Sequence, residues 1–145
     1  MKLFIGADHR GFELKNKIVE YLQQENIRVE DMGPYSYEAN DDYVDFSKKV
    51  AEAVLQNVNE NRGIVLCGSG IGVAMAANRF KGIRCALALN DDQIRHGREH
   101  DHINMIAIPA EYMDFEMIKK CIELFLSTGT NNDPKYLRRN AKLDE

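Results

Sequence analysis

The feature that most constrains the fold of this chain is a glycine-rich turn, set between an apolar run and a helical pattern in the segment 63–78. Gly68, Gly70 and Gly72 alternate with other residues in that turn. A strand, a tight turn and a helix in this order aim several backbone N–H groups at one point, where an anion binds. The sequence therefore predicts an α/β sheet with an anion-binding turn at the carboxyl end of one strand.

Strands and helices alternate along the rest of the chain. Five short apolar runs bounded by Gly, Asp or Pro are typical of buried strands: Leu3 to Ala7, Ile27 to Asp31, Gly63 to Leu66, Arg84 to Leu89 and Asn104 to Ile108. Apolar stripes with helical spacing begin at Leu14, Phe46 and Ile118. This alternation predicts a mainly parallel, five-stranded, doubly wound sheet in a three-layer α/β/α, Rossmann-like fold. With no linker or internal repeat, residues 1–145 are expected to form a single domain.

The composition argues against several classes of partner. The net charge is −4, and Lys and Arg are scattered apart from one C-terminal cluster, so no nucleic-acid surface is predicted. The N-terminal apolar run is too short for a signal peptide or a membrane span, which predicts a cytoplasmic protein without a membrane partner. Three cysteines without CxxC spacing predict neither a disulfide framework nor a zinc site.

The glycine turn departs from three common anion-binding motifs. A nucleotide-binding P-loop ends in Gly-Lys-Ser/Thr, where this chain has Gly72-Val73-Ala74. A dinucleotide site has the spacing G-x-G-x-x-G, normally after the first strand, whereas these glycines are spaced G-x-G-x-G after the third. A cysteine phosphatase has arginine six residues after its cysteine, and here that position is Val73. The remaining interpretation is a turn that stabilises a developing oxyanion.

Cys67, at the start of this turn, is the candidate base. The N–H donors and the nearby helix N-terminus favour a thiolate. A thiolate that faces such donors can remove a proton next to a carbonyl while they stabilise the enediolate, which is aldose–ketose chemistry. The alternative is a small apolar residue that ends a buried strand, but the surrounding glycines favour the base. Cys85 and Cys121, in an apolar run and an apolar stripe, are predicted to be core residues.

Two interpretations compete for the histidines near the fifth strand. His96 and His100 are spaced i, i+4 and could share a metal, although the zinc-protease pattern H-E-x-x-H is absent because Gly97 follows His96. The favoured alternative is that one histidine of this stretch acts as a general acid. Sequence spacing alone does not show which histidine is the acid.

A basic cluster lies near the C-terminus. Lys135 and Arg139 are four residues apart and therefore share one face of a helix, where they could bind a phosphate. The alternative is a solvated terminal helix whose charges only add solubility.

The chain resembles the ribose-5-phosphate isomerase B family, which is related to galactose- and allose-6-phosphate isomerases, over essentially its whole length. The matching pieces are Gly6 to Lys15, Asp42-Tyr43, Cys67 to Gly72 with Ala76-Ala77-Asn78, Gly82-Ile83-Arg84, and Arg98-Glu99-His100. One branch of the family uses this cysteine as its base and another uses a glutamate six residues later. Val73 holds the glutamate position here, so the chain is similar to the cysteine branch.

The resemblance implies interconversion of ribose 5-phosphate and ribulose 5-phosphate through a cis-enediolate. Cys67 would take the proton from C2 and return it at C1, and His100 would be the acid that opens the sugar ring. The other implied contacts are Ser69 as an added hydroxyl; Gly68, Gly70, Ile71 and Gly72 as the anion hole; Asp8 and Tyr43 at the sugar; and His9 with Arg139 at the phosphate. A thiolate, an acid and an anion hole suffice for this reaction, so neither a metal nor an organic cofactor is predicted.

Several positions of the substrate shell depart from the usual family pattern. Asp101 follows the ring-opening histidine where asparagine is usual, and Glu111 stands where many members have arginine. Lys135-Tyr136 replaces an arginine-histidine pair, so one phosphate contact becomes a point charge instead of a two-pronged guanidinium. These changes predict lower phosphate affinity than is typical of the family.

Members of the family are dimers or tetramers whose active sites combine residues of two subunits. By resemblance, the chain is expected to form a homodimer or homotetramer with shared active sites, and the basic helix at about 134–143 to reach the partner subunit. Two other functions stay open. One is isomerisation of a six-carbon aldose phosphate, such as allose or galactose 6-phosphate, and the other is a sugar-phosphate binding module without turnover.

Overall fold

The computed structural model describes all 145 residues and contains five strands and six α-helices. The strands are β1 (Leu3–Ala7), β2 (Val29–Asp31), β3 (Arg62–Cys67), β4 (Cys85–Leu87) and β5 (Met105–Pro109). The helices are α1 (Phe12–Gln24), α2 (Tyr43–Leu55), α3 (Ile71–Ala77), α4 (Asp91–His96), α5 (Phe115–Ser127) and α6 (Pro134–Lys142). A short π-helical turn, Gly97–Asp101, continues α4.

All five strands are parallel and lie in the order β2-β1-β3-β5-β4, which confirms the predicted doubly wound sheet. β1 lies between β2 and β3, so the chain winds outwards from β1 in both directions. In such sheets the carboxyl ends of the strands at this reversal flank a crevice that binds ligands.

Each face of the sheet is covered by helices, because alternate residues of each strand point to opposite sides. On one side, Ile5 belongs to a core cluster with Ile18 of α1 and Phe125 of α5. On the other side, Phe4 and Val65 belong to a cluster with Val50 of α2. The three-layer α/β/α architecture is therefore confirmed.

Two predicted strands are shorter in the structure. β2 begins at Val29 instead of Ile27, because the Ile27 N–H donates to Leu22 O at 2.8 Å and so closes the end of α1. β4 covers only Cys85 to Leu87, since the Arg84 N–H donates to Asn104 Oδ1 and the Leu89 N–H to Gln93 Oε1, both side chains, instead of to a strand. Both strands lie at an edge of the sheet, where only one neighbour specifies the length.

The two cysteines predicted to be core residues differ in exposure. Cys121 is fully buried in α5, and burial raises the pKa of its thiol to about 11. Cys85 is half-buried at the sheet edge and packs against the second core cluster, and desolvation raises its pKa as well. None of the helices combines the length and the apolar character that crossing a bilayer requires.

Candidate active site

The carboxyl ends of β1 and β3 hold the first group of predicted site residues. The two strands pair in parallel with Ala7 opposite Leu66, so the loops that follow them leave the sheet side by side. The Asp8 N–H donates to Leu66 O at 3.2 Å and joins the loops at their start. This places Asp8 and His9 beside the glycine turn that begins after Cys67.

Cys67 ends β3 with its side chain directed at the turn. The residue is 5% exposed, and the Gly70 N–H donates to Cys67 Sγ at 3.1 Å. Gly70 has φ +72°, and a methyl group there would lie 2.7 Å from Leu87 Cδ1 and 3.0 Å from Pro109 N. Only glycine fits both the left-handed backbone and the close packing at this position. The glycine therefore allows its backbone N–H to approach the sulfur of Cys67.

Tyr43 packs against the far side of the same turn. A methyl group on Gly72 would lie 2.9 Å from Tyr43 Cε2 and Cζ, so the missing side chain leaves room for the ring. Tyr43 is the first residue of α2, and Ser47 one turn later donates its hydroxyl to Val73 O at 2.7 Å. α2 thus positions the tyrosine ring over the glycine turn. Ser69 Oγ accepts from the Ile71 N–H at 3.3 Å.

Asp8 is almost fully buried below the first loop. Its Oδ1 accepts from the N–H groups of Arg10 at 2.9 Å and Gly11 at 3.1 Å. Burial raises the pKa of Asp8, and these two N–H donors oppose the shift. His9, the next residue, bonds through Nδ1 to Asp41 Oδ1 at 2.8 Å.

Sequence reasoning missed Arg10, which lies directly on the glycine turn. A methyl group on Gly68 would lie 2.5 Å from Arg10 Cζ, so the guanidinium covers this glycine. Glu111, in the loop after β5, binds Arg10 through two hydrogen bonds. This pairing raises the pKa of Arg10 and lowers that of Glu111. The sequence shows that Arg10 and Glu111 carry opposite charges and that each follows a predicted strand. Pairing the two residues also requires the order of the strands in the sheet.

The second group of predicted residues surrounds His100 in the π-helical turn. The His100 ring stacks on Tyr136 of α6, with centroids 4.5 Å apart and planes at 22°. His100 Nδ1 lies 3.0 Å from His96 Nε2. Lys135 Nζ and Arg139 Cζ lie 4.8 and 6.0 Å from the centroid of the same Tyr136 ring. His100, Lys135 and Arg139 therefore gather around one aromatic ring, and Asp101 ends the same turn.

These two groups lie at opposite ends of the sheet in one chain. Cys67 pairs with Pro109 at the end of β5, whereas the turn that carries His100 precedes Met105 at the start of β5. The two ends of this strand are about 13 Å apart at roughly 3.3 Å per residue. One chain therefore brings Asp8, His9, Tyr43 and the glycine turn together, and separately His100, Asp101, Lys135 and Arg139.

The histidines do not assemble a metal-binding group. No set of three or more His, Cys, Asp or Glu side chains is grouped as metal ligands would be. His96 and His100 contact each other, and His102 Nε2 bonds instead to Asn131 O at 2.9 Å. The i, i+4 spacing of His96 and His100 thus produces a two-residue contact.

The chain is similar to known proteins in both sequence and fold. The model of the Ribose/Galactose Isomerase family matches residues 3–143. The ribose-5-phosphate isomerase B of Mycolicibacterium paratuberculosis is 35% identical over 139 residues, which is 96% of this chain and 87% of that protein.

Two crystal structures superpose closely on the chain. A ribose 5-phosphate isomerase from Thermotoga maritima has a TM-score of 0.93 and 41% identity, with 99% of this chain and 97% of that one covered. The ribose-5-phosphate isomerase B of Mycoplasma genitalium, with bound ribulose-5-phosphate, has a TM-score of 0.93 and 35% identity, with 98% and 93% covered. With a family match over nearly its whole length and relatives of this similarity, the chain belongs to the ribose/galactose isomerase family of enzymes.

Proposed function

We propose that the chain interconverts ribose 5-phosphate and ribulose 5-phosphate, with Cys67 as the proton-transferring base. The observation that carries this proposal is the 3.1 Å hydrogen bond from the Gly70 N–H to Cys67 Sγ. This contact brings the thiol within hydrogen-bonding distance of one backbone N–H of the glycine turn, which supports the proposal. The bound ribulose-5-phosphate of the Mycoplasma genitalium relative supports the choice of substrate.

The proposed reaction begins with the cyclic sugar phosphate. His100 donates a proton to the ring oxygen as the C1–O bond breaks, and the hydroxyl on C1 passes its proton to water, from which His100 is reprotonated, to form the aldehyde. Asp8 and Tyr43 then hold the open chain beside the glycine turn. His9 and Arg139 bind the phosphate.

Proton transfer follows at C1 and C2. The Cys67 thiolate removes the proton from C2, and the electron pair moves onto the carbonyl oxygen to give a cis-enediolate. The N–H groups of the turn from Gly68 to Gly72 stabilise that oxyanion, and the Ser69 hydroxyl adds a further donor. The Cys67 thiol then returns the proton to C1, and the hydroxyl on C2 passes its proton to the oxyanion on C1, which gives the C2 ketone and the C1 hydroxyl.

This mechanism uses two subunits for each site. Since Cys67 and His100 lie at opposite ends of the sheet in one chain, the acid, Asp101, Lys135 and Arg139 are supplied by a neighbouring subunit of a homodimer or homotetramer. In this arrangement α6 presents its basic side chains across the interface. The reaction needs no metal, because the base, the acid and the donors are all protein groups.

The test is direct interconversion of the two pentose phosphates by the purified protein, with and without EDTA. Turnover should persist in EDTA, and Cys67→Ala should lower kcat by about 10²- to 10⁴-fold, the usual range for a general base. Cys85→Ala, which changes a thiol outside the site, is the matched control and should retain activity.

Two outcomes would contradict the proposal. Full activity of Cys67→Ala would remove the cysteine from the mechanism. Absence of turnover by the folded wild type would instead favour a six-carbon aldose phosphate or a binding module without turnover, and allose and galactose 6-phosphate would then be assayed.

A further inference from the structure

The side chain of His9 is held from two directions by one oxygen atom. Asp41 Oδ1 accepts from the His9 main-chain N–H at 2.9 Å and lies 2.8 Å from the His9 ring nitrogen Nδ1. Because a carboxylate oxygen only accepts, Nδ1 carries the proton in this contact. The ring can no longer rotate freely, and its other nitrogen, Nε2, is left to bind a ligand.

The side chain of Asp41 is largely buried and incompletely hydrogen-bonded. Its side chain is 8% exposed, and Oδ2 is the one buried side-chain polar atom of the protein without a hydrogen-bond partner. A buried carboxylate oxygen without a hydrogen-bond partner costs stability, so its presence in a native structure calls for an explanation. If Asp41 only stabilised the loop, an uncharged side chain that accepts both hydrogen bonds would serve equally well.

We propose that Asp41 is a positioning residue that presents His9 Nε2 to the phosphate of the substrate and balances the charge of the bound imidazolium. This inference rests on the proposed function, in which His9 binds the phosphate. A phosphate oxygen accepts hydrogen bonds, so Nε2 must carry a proton in the complex, while Nδ1–H already points at Asp41. His9 therefore binds phosphate with both nitrogens protonated. The negative charge of Asp41, whose side chain is 8% exposed, offsets this positive charge.

The tautomer of His9 tests the geometry without any need for turnover. In ¹⁵N-labelled protein, long-range ¹H–¹⁵N correlation should report neutral His9 as the Nδ1–H form, assigned by its loss in His9→Asn. His102 is an internal control, because its Nε2 bonds to the carbonyl of Asn131 and it should be the Nε2–H form. An Nε2–H tautomer for His9 would overturn the proposal.

Two variants separate the charge of Asp41 from its hydrogen bonds. Asp41→Asn can keep both contacts through its amide oxygen and removes only the charge, whereas Asp41→Ala removes both. The dissociation constant of inorganic phosphate, followed by the shift of the His9 resonances, should rise about tenfold in Asp41→Asn, the usual effect of losing one charged hydrogen-bond partner. It should rise further in Asp41→Ala. Asp45→Asn, an exposed carboxylate of α2, should leave it unchanged.

Kinetics give the readout that a purely structural role would not produce. In Asp41→Asn, KM for ribose 5-phosphate should rise by the same factor as the phosphate dissociation constant, while kcat stays within about twofold, since the lost interaction is uniform binding. Unchanged phosphate binding in the folded Asp41→Asn variant, or a fall in kcat at constant KM, would overturn the proposal. If the wild type binds phosphate through His9 but does not turn over ribose 5-phosphate, the proposed function fails, and the tautomer and titration still decide the role of Asp41.

Discussion

Arg10 Nε donates to Glu111 Oε1 at 2.7 Å, and this ion pair joins the loop after β1 to the loop after β5 directly above Gly68. Both side chains are about half exposed, so the pair is expected to add little to the stability of the fold. Its position is more significant than its strength. Glu111 neutralises a guanidinium that would otherwise face the anion-binding turn with its full charge.

Removing the Glu111 charge should therefore strengthen the binding of an anionic substrate. In Glu111→Gln, KM for ribose 5-phosphate at low ionic strength should fall by about threefold, because complementary charge at a site rim favours binding. Arg10→Ala should raise KM. Glu52→Gln, an exposed carboxylate of α2 paired with Lys48, is the control and should have no effect. A KM in Glu111→Gln equal to that of the wild type at every salt concentration would refute this prediction.

Shared active sites should be detectable by subunit complementation. Cys67→Ala and His100→Ala homo-oligomers should each be nearly inactive, since every site lacks one group. When the two variants are unfolded together and refolded in equal amounts, random pairing into dimers should restore about a quarter of the wild-type activity. Each mixed dimer then holds one intact site. Refolding of each variant alone is the control, and activity that stays at the level of the single variants would mean that Cys67 and His100 do not act across subunits.

Gly70→Ala should damage both stability and catalysis. A side chain at φ +72° strains the backbone, and the new methyl group would contact Leu87 and Pro109, so the free energy of unfolding should fall by roughly 1–3 kcal/mol. Activity should fall further, because the N–H bonded to Cys67 Sγ would move. Gly129→Ala is a matched control, as nothing lies within 4 Å of the added carbon. Urea denaturation compares the two, and equal stabilities would contradict the prediction.

Asp8→Asn should increase stability at neutral pH while impairing the enzyme. Both N–H donors bind the same oxygen of Asp8, so asparagine can accept both bonds. Burial raises the pKa of Asp8 in the folded state above its ordinary value of 3.8, which means that wild-type stability is lost as the pH rises through the raised pKa. Asp8→Asn carries no charge at this position, so it does not lose stability in this way as the pH rises.

The direction of this pKa shift gives the expected difference in stability. The free energy of unfolding of Asp8→Asn should exceed that of the wild type at pH 7, and the difference should disappear below pH 3.8. Chemical denaturation at pH 7, 5 and 3.5 measures it. A variant less stable than the wild type at pH 7 would show that the carboxylate contributes a favourable interaction instead.

The sheet and its helices could be predicted because their core residues repeat with a regular period. Leu3 to Ala7 is buried on both faces, which produces a continuous apolar run, and the stripe through Ile18 and Leu22 faces one side of a helix. The edge strands were predicted too long because each has a neighbouring strand on only one side, and that single neighbour specifies where the strand ends. Cys67 was singled out in the sequence because of the glycines beside it, and its role as the base stays a prediction.

The contacts between loops could not be predicted in the same way. Asp41 holds His9 from 32 residues away, within a segment that has no periodic pattern. Pairing Arg10 with Glu111 required the knowledge that β5 and not β4 lies next to β3. The separation of His100 from Cys67, by contrast, follows from a simple rule, since residues just before a parallel strand and residues just after one lie at opposite edges.

The division of the site residues between the two edges also restricts how copies of the chain can associate. If each site combines a carboxyl edge with the amino edge of a neighbour, every subunit both donates and receives one half of a site. A two-fold pair satisfies both halves at once, whereas a head-to-tail row would leave one incomplete site at each end and keep growing. A closed assembly is then a condition for activity, and dilution that separates the subunits would switch off every site together.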